Sequence, residues 1–482
     1  MTVKEWYWVM ELATDVAIEA DQRGVVLRSA DLPPIPVDPG ALRWLESLTG
    51  QGCPQREMTF GDGSGPAGAG EAAVGDGSVA LAEGSGQGER WERHSWMSTL
   101  DRRGWLVRHL WWGDRRMLSC LPLRPPPQVP SGALPSGRIQ LSRSALIRCG
   151  EVGWELASAG AWAKLLIHDP HLWPLLHRLG MGCQAGEWLR RAPRPWQQGL
   201  TQMLPLLRWC RLLGGAEERG SARVGAWNVT DRWFHVQTRR GYGRRQPGQV
   251  PCAPRGSADW DPLLPPPGTV ASIPLERPDA ARLLRTDPPF AAVCEWRRSL
   301  REPGPRAMGL RQLSEVLFRS LAIRNHHRAY PSGGSCYPLR AYLAVHECQG
   351  LERGVYFYEP AAHRLEMLPA DLPSLDRVLR QAAATAGRSA IPQMVMLLTA
   401  DYGRVRVRYP DLAYSLILKE VGAVMEIVML AAAVVGLACC PLGSGDEQLI
   451  SHLLGTSAEL EPSVGEMLLN SGATDEAPQT RN

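Results

Sequence analysis

Lysine is almost absent from this chain of 482 residues, whose other basic side chains are all arginines; only Lys4, Lys164 and Lys419 occur. There is no C-x-x-C pair, and no G-x-G-x-x-G run follows a predicted strand, so neither a structural zinc site nor a nicotinamide-binding fold has support. The G-x-S-x-G and H-E-x-x-H motifs are missing as well. A formal net charge of +4 is too small for a field that recruits nucleic acid.

The 11 cysteines are odd in number and scattered, with one close pair at Cys439-Cys440. This pattern predicts free thiols in a reducing cytoplasm. The N-terminus lacks the basic region, apolar core and cleavage site of a signal peptide. Residues 421–440 are long enough to span a bilayer, but Glu426 lies near their middle and small residues dominate. They favour a close-packed helix at a core or a dimer seam over a membrane span.

Tryptophan is unevenly distributed, because all 18 lie at or before Trp296. At about 150 residues per domain, the length predicts about three domains. Glycine-rich and proline-rich segments supply the boundaries. We predict the following organisation: a first module over 1–123 with a glycine-rich insertion at 61–88, a proline-rich linker at 124–137, a second module over 138–222, a third domain over 223–470 and a polar tail at 471–482.

The first two modules repeat one pattern, in which strand-like apolar runs precede a capped helix. Asp38-Pro39 and Asp169-Pro170 each supply an N-cap and a first helical residue. In the first module, a helix-like stretch at 90–101 leads into a hairpin over 105–123, which is the outline of a winged helix. Because no helix presents a basic, base-reading face, we expect these modules to bind peptide or protein rather than DNA.

More specific motifs begin near residue 223. Two of them, at 297–301 and 331–339, come before a helical stretch and a strand pattern, respectively. A third, at 408–409, opens a long helix that we predict near 411–438. In chain order the motifs read AWNVTDRWFHVQTRRG at 226–241, RRSLR at 297–301, PSGGSCYPL at 331–339, RY at 408–409 and CCPLG at 439–443.

Taken in this order, these motifs resemble the streptolysin-type azoline dehydrogenases, which are nitroreductase-like FMN oxidases of ribosomal peptide biosynthesis. The resemblance covers about residues 223–470 and extends more weakly to the N-terminal modules. It implies an α+β chain with a C-terminal nitroreductase-like flavin fold, a central, largely antiparallel sheet flanked by helices. Two small winged-helix-like modules precede that fold. A homodimer is also implied, since the flavin in such folds lies between two subunits.

The residue types suit a flavin site. A phosphate dianion requires guanidinium groups, a hydroxyl and backbone N–H groups, which the 297–301 run offers. The glycines of 331–334 let backbone approach a planar ligand closely, and 441–443 resembles the segment against the flavin ring. The plainer alternatives are an exposed helix start, an ordinary turn and a helix stop, and Tyr337 either contacts a ligand or packs within its turn. The predicted cofactor-binding residues are Arg297, Arg298, Ser299, Arg301, Pro331, Ser332, Gly333, Gly334, Pro441, Leu442 and Gly443.

The chain departs from the family where a base is expected. Many members have a Lys-Tyr pair before the long helix, and this chain has Arg408-Tyr409. Arginine stays protonated, so we hypothesise that Tyr409, with Arg408 lowering its pKa, carries the proton chemistry. Lys419 is the alternative base, although next to Glu420 it also fits a surface ion pair. After Glu420, a histidine and an amide pair common in relatives are missing.

The resemblance implies FMN-dependent oxidation of peptide thiazolines and oxazolines to thiazoles and oxazoles, with hydride transfer to the flavin and reoxidation by oxygen. The expected partners are a leader-bearing precursor peptide and cyclodehydratase subunits, with no nucleic acid, membrane or metal. Two alternatives stay open. One is an NAD(P)H-dependent flavin reductase acting on another substrate, and the other is a catalytically degenerate scaffold subunit of a cyclodehydratase complex.

Overall fold

The computed structural model separates into two compact units, residues 1–249 and 250–482. Several predicted features lie wholly or partly outside the described residues: the Asp38-Pro39 helix start, positions 61–86 of the glycine-rich insertion, positions 129–136 of the linker, the boundary between residues 222 and 223, positions 226 and 240–241 of the 226–241 motif, and the tail beyond 472. The structure describes residues 6–13, 16–21, 24–29, 32–37, 45–46, 48–49, 53–55, 87–128, 137–214, 227–239, 268–324, 327–409 and 412–472.

The first unit is built on a seven-stranded antiparallel sheet. In the order in which they pair, its strands are β5 (Cys53–Gln55), β1 (Trp6–Leu12), β6 (Leu106–Trp112), β7 (Arg115–Pro122), β11 (Ala163–Ile167), β10 (Gly153–Ser158) and β9 (Ala145–Gly150). A three-stranded sheet and a two-stranded pair accompany it: β2 (Val16–Asp21), β3 (Gly24–Ser29) and β4 (Leu32–Pro36); β8 (Arg138–Ile139) with β12 (Cys183–Gln184).

Helices pack large aromatic side chains against this sheet. Trp8 on β1 and Trp162 belong to one buried cluster with Trp188 and Trp209 from the helices. The predicted cap is present, because the Asp169 carboxylate accepts the N–H of His171 at the start of a short 3-10 helix, Pro170–Leu172. The helices described in this unit are α1 (Gln87–Arg103), α2 (Trp173–Met181), α3 (Ala185–Arg190), α4 (Arg194–Trp209) and α5 (Val229–Gln237).

Two winged-helix-like modules are not confirmed. The predicted order of helix and hairpin is present, since α1 precedes β6 and β7, which turn at Gly113 with a φ of 60°. However, β7 also pairs with β11, so that Ser119 lies opposite Leu166 and strands from both predicted modules form one sheet. Strand pairing across 40 or so residues is a long-range choice that local periodicity does not encode.

The second unit contains another seven-stranded antiparallel sheet. Its strands, in pairing order, are β13 (Ala271–Pro274), β16 (Arg364–Leu368), β15 (Gly354–Glu359), β14 (Leu339–Val345), β17 (Met394–Ala400), β19 (Ser463–Ser471) and β18 (Leu437–Pro441). The helices described in this unit are α6 (Ala280–Thr286), α7 (Phe290–Trp296), α8 (Leu310–Ser320), α9 (Leu372–Thr385), α10 (Tyr402–Arg406), α11 (Ala413–Val434) and α12 (Glu447–Leu454).

Both faces of the second sheet are buried, which explains its long apolar strands. One face packs against α8 and α11, where Leu317 and Val424 join Leu343 of β14 in a single cluster. The other face packs against α9 and α12, where Leu379 joins Tyr342 of the same strand. The predicted α+β arrangement of an antiparallel sheet flanked by helices is therefore present in this unit.

The long helix α11 is shorter than predicted. The sequence predicted helix near 411–438, whereas α11 ends at Val434 and residues from Leu437 form β18. Gly436, with a φ of 75°, breaks the helix, and Cys439 and Cys440 pair with Leu469 and Leu468 of β19. Within the described segments, no helix is long and apolar enough to cross a membrane.

Candidate functional site

A strained glycine turn lies beside α11. A single 3-10 turn, Gly333–Ser335, connects the 331–332 segment to β14. Gly334, Ser335 and Tyr337 all have positive φ values, of 59°, 53° and 47°. Serine and tyrosine rarely adopt this conformation, which costs about 1–3 kcal/mol per residue and persists only where the surroundings enforce it. The predicted 331–334 motif is thus part of a turn that neighbouring groups hold in place.

The Ser332 hydroxyl joins this turn to α11. Its oxygen accepts the backbone N–H of Tyr337 at 2.8 Å. The hydroxyl also donates to Oε2 of Glu420, with an oxygen–oxygen distance of 2.5 Å. The Ser332 hydroxyl therefore donates its hydrogen to Glu420 on α11 and accepts the Tyr337 N–H with one lone pair. These two hydrogen bonds fix the turn to the helix.

The predicted Arg408-Tyr409 pair lies against the same turn. Nη1 of Arg408 donates to the carbonyl oxygen of Gly334 at 2.5 Å. A Cβ added at Gly334 would lie only 3.0 Å from the Tyr409 hydroxyl oxygen, and one at Gly333 would lie 3.2 Å from Cδ1 of Leu416. Glycine is needed at 334 both for its φ and for this close approach. The structure thus brings together two of the predicted site segments.

Glu420 is a functional candidate that the sequence interpretation did not single out as a site residue. Its side chain is buried, with 4% of the residue exposed. Oε1 has no hydrogen-bond partner in the part of the chain that the structure describes. Burial raises the carboxyl pKa to about 7, despite the opposing effects of the Ser332 hydrogen bond and of the Arg328 and Arg404 charges.

The helical periodicity of the sequence predicts that Glu420 is buried. The buried positions of α11 include Ala413, Ile417, Glu420, Val424 and Val428, which follow steps of three or four residues. A carboxylate in such a row is a buried charge, and buried charges are rare unless they are paired. The neighbouring Lys419 is exposed, whereas Glu420 is buried.

An aromatic and cationic group lines the turn on another side. The Arg328 guanidinium lies 5.1 Å from the centre of the Tyr337 ring and donates to the Tyr330 hydroxyl at 2.9 Å. The Tyr330 and Tyr337 rings meet edge to face, with centroids 5.7 Å apart. Burial raises the pKa of Tyr330 to about 12, so this phenol stays protonated near neutral pH.

The arginine-rich segment 297–301 lies by a later part of α11. Nε of Arg297, which follows α7, is 3.9 Å from Oε1 of Glu426. The Leu300 N–H donates to the carbonyl oxygen of Cys439 on β18, and the Arg301 carbonyl accepts from the Asn470 side chain. Arg298, Ser299 and Arg301 are exposed. The segment therefore lies alongside β18, and the side chains of Arg298, Ser299 and Arg301 are accessible to solvent.

The third predicted segment, 441–443, continues from β18. Pro441 ends the strand, and the Leu442 N–H donates to the Glu466 carbonyl oxygen at 2.8 Å. Gly443 is exposed, and a Cβ added there would meet no atom within 4 Å. No close approach therefore requires glycine at 443 in the described residues, in contrast to Gly334.

Helix α11 contacts both the 331–337 turn and the 297–301 segment. Glu420 contacts the 331–337 turn, and Glu426 contacts the 297–301 segment. Six residues of α-helix advance about 9 Å along the axis and rotate the side chain by about 240°, so the two contacts lie on different faces of α11. The predicted segments thus lie as two pairs along one helix, and their roles in ligand binding stay predictions.

Comparison with known proteins decides the family. The Nitroreductase family model matches residues 294–469. A Methanocaldococcus jannaschii protein assigned as a nitroreductase is 31% identical over 160 residues, which make up 33% of this chain and 80% of that protein. The chain belongs to the nitroreductase family. The nitroreductase-like fold predicted for the C-terminal region is thereby confirmed, and the match begins at 294 within the predicted 223–470 domain.

This nitroreductase-family chain is also similar to a trifolitoxin-processing protein. The trifolitoxin-processing protein TfxB of Rhizobium leguminosarum bv. trifolii is 26% identical over 147 residues, which are 30% of this chain and 39% of TfxB. The matched region therefore spans well under two thirds of TfxB.

A solved structure, the Escherichia coli microcin synthetase McbBCD complex with truncated pro-MccB17 bound, contains a chain that aligns with 42% of this one and 88% of its own length. Its TM-score of 0.33 and identity of 17% carry no argument about activity.

Proposed function

We propose that this nitroreductase-family chain is an FMN-dependent azoline dehydrogenase, which oxidises peptide thiazolines or oxazolines to thiazoles or oxazoles. One observation carries the proposal: Ser332, Arg408, Tyr409 and Glu420 converge on a strained glycine turn beside α11. Family membership supports flavin oxidoreductase chemistry. The similarity to a trifolitoxin-processing protein supports a substrate made by modification of a peptide.

The residues present fit FMN. At Gly334 the backbone is packed against the Tyr409 side chain, which places the Tyr409 hydroxyl and the Arg408 guanidinium at the turn where we assign the flavin ring. The exposed Arg298, Ser299 and Arg301 supply charge-assisted donors for a phosphate dianion. We assign the phosphate to the 297–301 segment and the ring to the 331–334 turn, with 441–443 as a further contact.

Oxidation of an azoline to an azole removes one ring hydrogen as a proton and another as a hydride. When bound, FMN supplies the acceptor for the hydride and is reoxidised by oxygen. The chain itself must take the proton, and we assign this task to Tyr409. Arg408 lies beside it and fixes the turn through its hydrogen bond to the carbonyl oxygen of Gly334. Lys419, which is exposed, is the second candidate base.

The proposed partners follow from the same assignment. A leader-bearing precursor peptide would be bound by the first unit, and cyclodehydratase subunits would supply the azoline. We also propose a homodimer, in which α11 contributes to the seam. Tyr414 and Leu418 support this assignment, because they lie one helical turn apart on α11 and are 41% and 37% exposed.

The test uses the purified full-length chain loaded with FMN, mixed without oxygen with an azoline-containing peptide that bears its leader. We expect loss of the oxidised flavin absorbance and loss of two hydrogens from the peptide, measured by mass spectrometry. Reduction by NAD(P)H but not by the peptide would instead identify a flavin reductase. A protein that takes up no FMN yet binds a cyclodehydratase would be the scaffold subunit.

A further inference from the structure

Glu420 is buried in the flavin-site region with an unsatisfied oxygen. Oε2 accepts the Ser332 hydroxyl, and Oε1 is without a partner among the described residues. A buried carboxylate oxygen with no donor is unfavourable, because it loses hydration and gains nothing in return. The carboxyl group therefore has reason to bind a proton, and it sits where a proton changes the hydrogen bonds of the turn.

The groups facing this carboxyl come from three elements. Arg328 and Tyr330 lie on the segment before the turn, Cys336 lies within it, and Arg404 lies on α10. The two arginines favour the carboxylate, while Tyr330 and Cys336 stay neutral because burial raises the pKa of each. On α11 itself, the adjacent Lys419 is exposed. Burial raises the pKa of Glu420 by more than the two arginines lower it, so the carboxylate and the protonated form are both accessible near neutral pH.

The hydrogen bonds of Ser332 differ between the two states. Its hydroxyl has one donor hydrogen and two lone pairs, and the Tyr337 N–H occupies one lone pair. While Glu420 is a carboxylate, the hydroxyl hydrogen points to Oε2. Once Glu420 is protonated, its O–H can donate to the second lone pair of Ser332, and the hydroxyl hydrogen is free to donate to a ligand at the turn.

We propose that Glu420 is the positioning residue of the cofactor site, and that it takes up a proton when FMN fills the 331–337 turn. Acting through Ser332, the protonated side chain turns the serine hydroxyl into a donor for a carbonyl or ring nitrogen of the flavin. This proposal rests on the FMN site of the proposed function. It predicts that flavin affinity depends on pH through Glu420, in addition to the phosphate of FMN, whose second ionisation lies at about pH 6.

The direction of this pH dependence follows from which protonation state of Glu420 binds FMN. If FMN binds the protonated form, its apparent dissociation constant rises as the protonated fraction falls. For one group that titrates near pH 7, the expected rise is about tenfold between pH 6 and pH 8. FMN added at pH 7 in weak buffer should also remove protons from solution, which a pH indicator dye detects.

The experiment measures binding of FMN, and of riboflavin, which lacks the titrating phosphate, to the full-length protein from pH 5.5 to 8.5 by quenching of flavin fluorescence; the Glu420 contribution is the pH dependence that both ligands share. Glu420→Gln places a neutral donor beside Ser332, so its affinity should stay near the wild-type value at pH 6 and show no proton uptake. Ser332→Ala removes the hydroxyl and should also abolish the pH dependence, with weaker binding throughout. Circular dichroism verifies that each variant is folded.

Glu366→Gln is the matched control. Glu366 is another buried carboxyl that accepts a serine hydroxyl, from Ser272 at 3.1 Å, but it lies on β16 and contacts none of the turn residues named above. This variant should keep the wild-type pH profile. A pH-independent affinity in the wild type, or a wild-type profile in Ser332→Ala, would overturn the role of Glu420.

These outcomes separate the inference from the proposed function. FMN binding with the expected pH profile, but without azoline oxidation, leaves the role of Glu420 in place and rejects the dehydrogenase. Azoline oxidation with a flat profile does the reverse. A folded protein that binds no FMN at any pH rejects both.

Discussion

The Ser332 hydroxyl lies 2.5 Å from Oε2 of Glu420, so a turn residue and a buried helix residue 88 positions apart share one hydrogen. This bond connects α11 to a turn in which Gly334, Ser335 and Tyr337 all have positive φ values. The turn is therefore held from the helix, and substitutions on either side should alter ligand binding at the turn.

Removal of the Tyr409 hydroxyl should stop proton transfer and leave the cofactor in place. We expect Tyr409→Phe to lower the rate of azole formation by about 10²–10⁴, which is the usual contribution of a general base. FMN affinity should change little. The measurement is azole formation by mass spectrometry with flavin-loaded protein.

Tyr356→Phe is the control for that variant, since it removes the same hydroxyl from β15, where it donates to the carbonyl oxygen of Glu352. Its rate should match the wild type. An undiminished rate in Tyr409→Phe would exclude this tyrosine as the base and leave Lys419→Ala as the next variant to measure.

Alanine at Gly334 should weaken FMN binding. The substitution places a methyl group 3.0 Å from the Tyr409 hydroxyl at a φ of 59°. Gly387→Ala is a matched control, because its φ of 68° imposes the same backbone strain while nothing lies within 4 Å of the added atom. Both variants should lose about 1–2 kcal/mol of stability from the left-handed conformation, measured by chemical denaturation.

Because only the Gly334 variant brings a methyl group against Tyr409, the two glycine variants should differ in FMN affinity, measured by fluorescence titration. We expect a loss of tenfold or more in Gly334→Ala and none in Gly387→Ala. Equal affinities would mean that the cofactor does not approach the turn.

The arginines of 297–301 should recognise the phosphate of FMN rather than its ring. Hydrogen bonds to charged groups contribute about 1.5–3 kcal/mol, so Arg298→Ala or Arg301→Ala should weaken FMN binding by tenfold or more. Riboflavin, which lacks the phosphate, should bind each variant as it binds the wild type. Arg311→Ala, at an exposed position of α8, is the control. A parallel loss of riboflavin affinity would argue against phosphate recognition.

Stability without FMN should fall as the pH rises. The pKa of Glu420 is about 7 in the folded chain and about 4.5 when unfolded, so the folded state binds the proton more tightly. The destabilisation therefore begins above pH 4.5 and is complete above pH 7, with a magnitude of up to about 3 kcal/mol. Denaturation of Glu420→Gln at pH 5 and pH 8.5 should lack this component, and an identical pH dependence in both proteins would contradict it.

Local patterns predicted much of this molecule. The strand after the 331–339 motif, the cap at Asp169 and the position of α11 follow from periodicity and capping chemistry, and all are present. The proximity of Arg408-Tyr409 to the 331–334 turn was not predicted, since spacing along the chain does not encode it. The sequence predicts a helix end just before Cys439-Cys440, where the structure has a strand, because that strand pairs with β19, whose residues lie about 30 positions further along the chain.

The roles of Ser332 and Glu420 illustrate the same limit. Helical spacing places Glu420 on the buried face of α11, so its burial was predictable from the sequence. Its partner was not, because Ser332 is reached through a turn with positive φ at Tyr337, a conformation that a tyrosine rarely adopts. A residue that violates its own local preference is set by tertiary contacts.

The ladder between β7 and β11 has a practical consequence for dissecting this protein. The proline-rich stretch between those strands is an inviting place to divide the gene, yet the strands on its two sides pair with each other. A cut there would give two fragments, each with a long apolar edge available for aggregation. Fragments meant for expression should keep residues 1–249 in one piece.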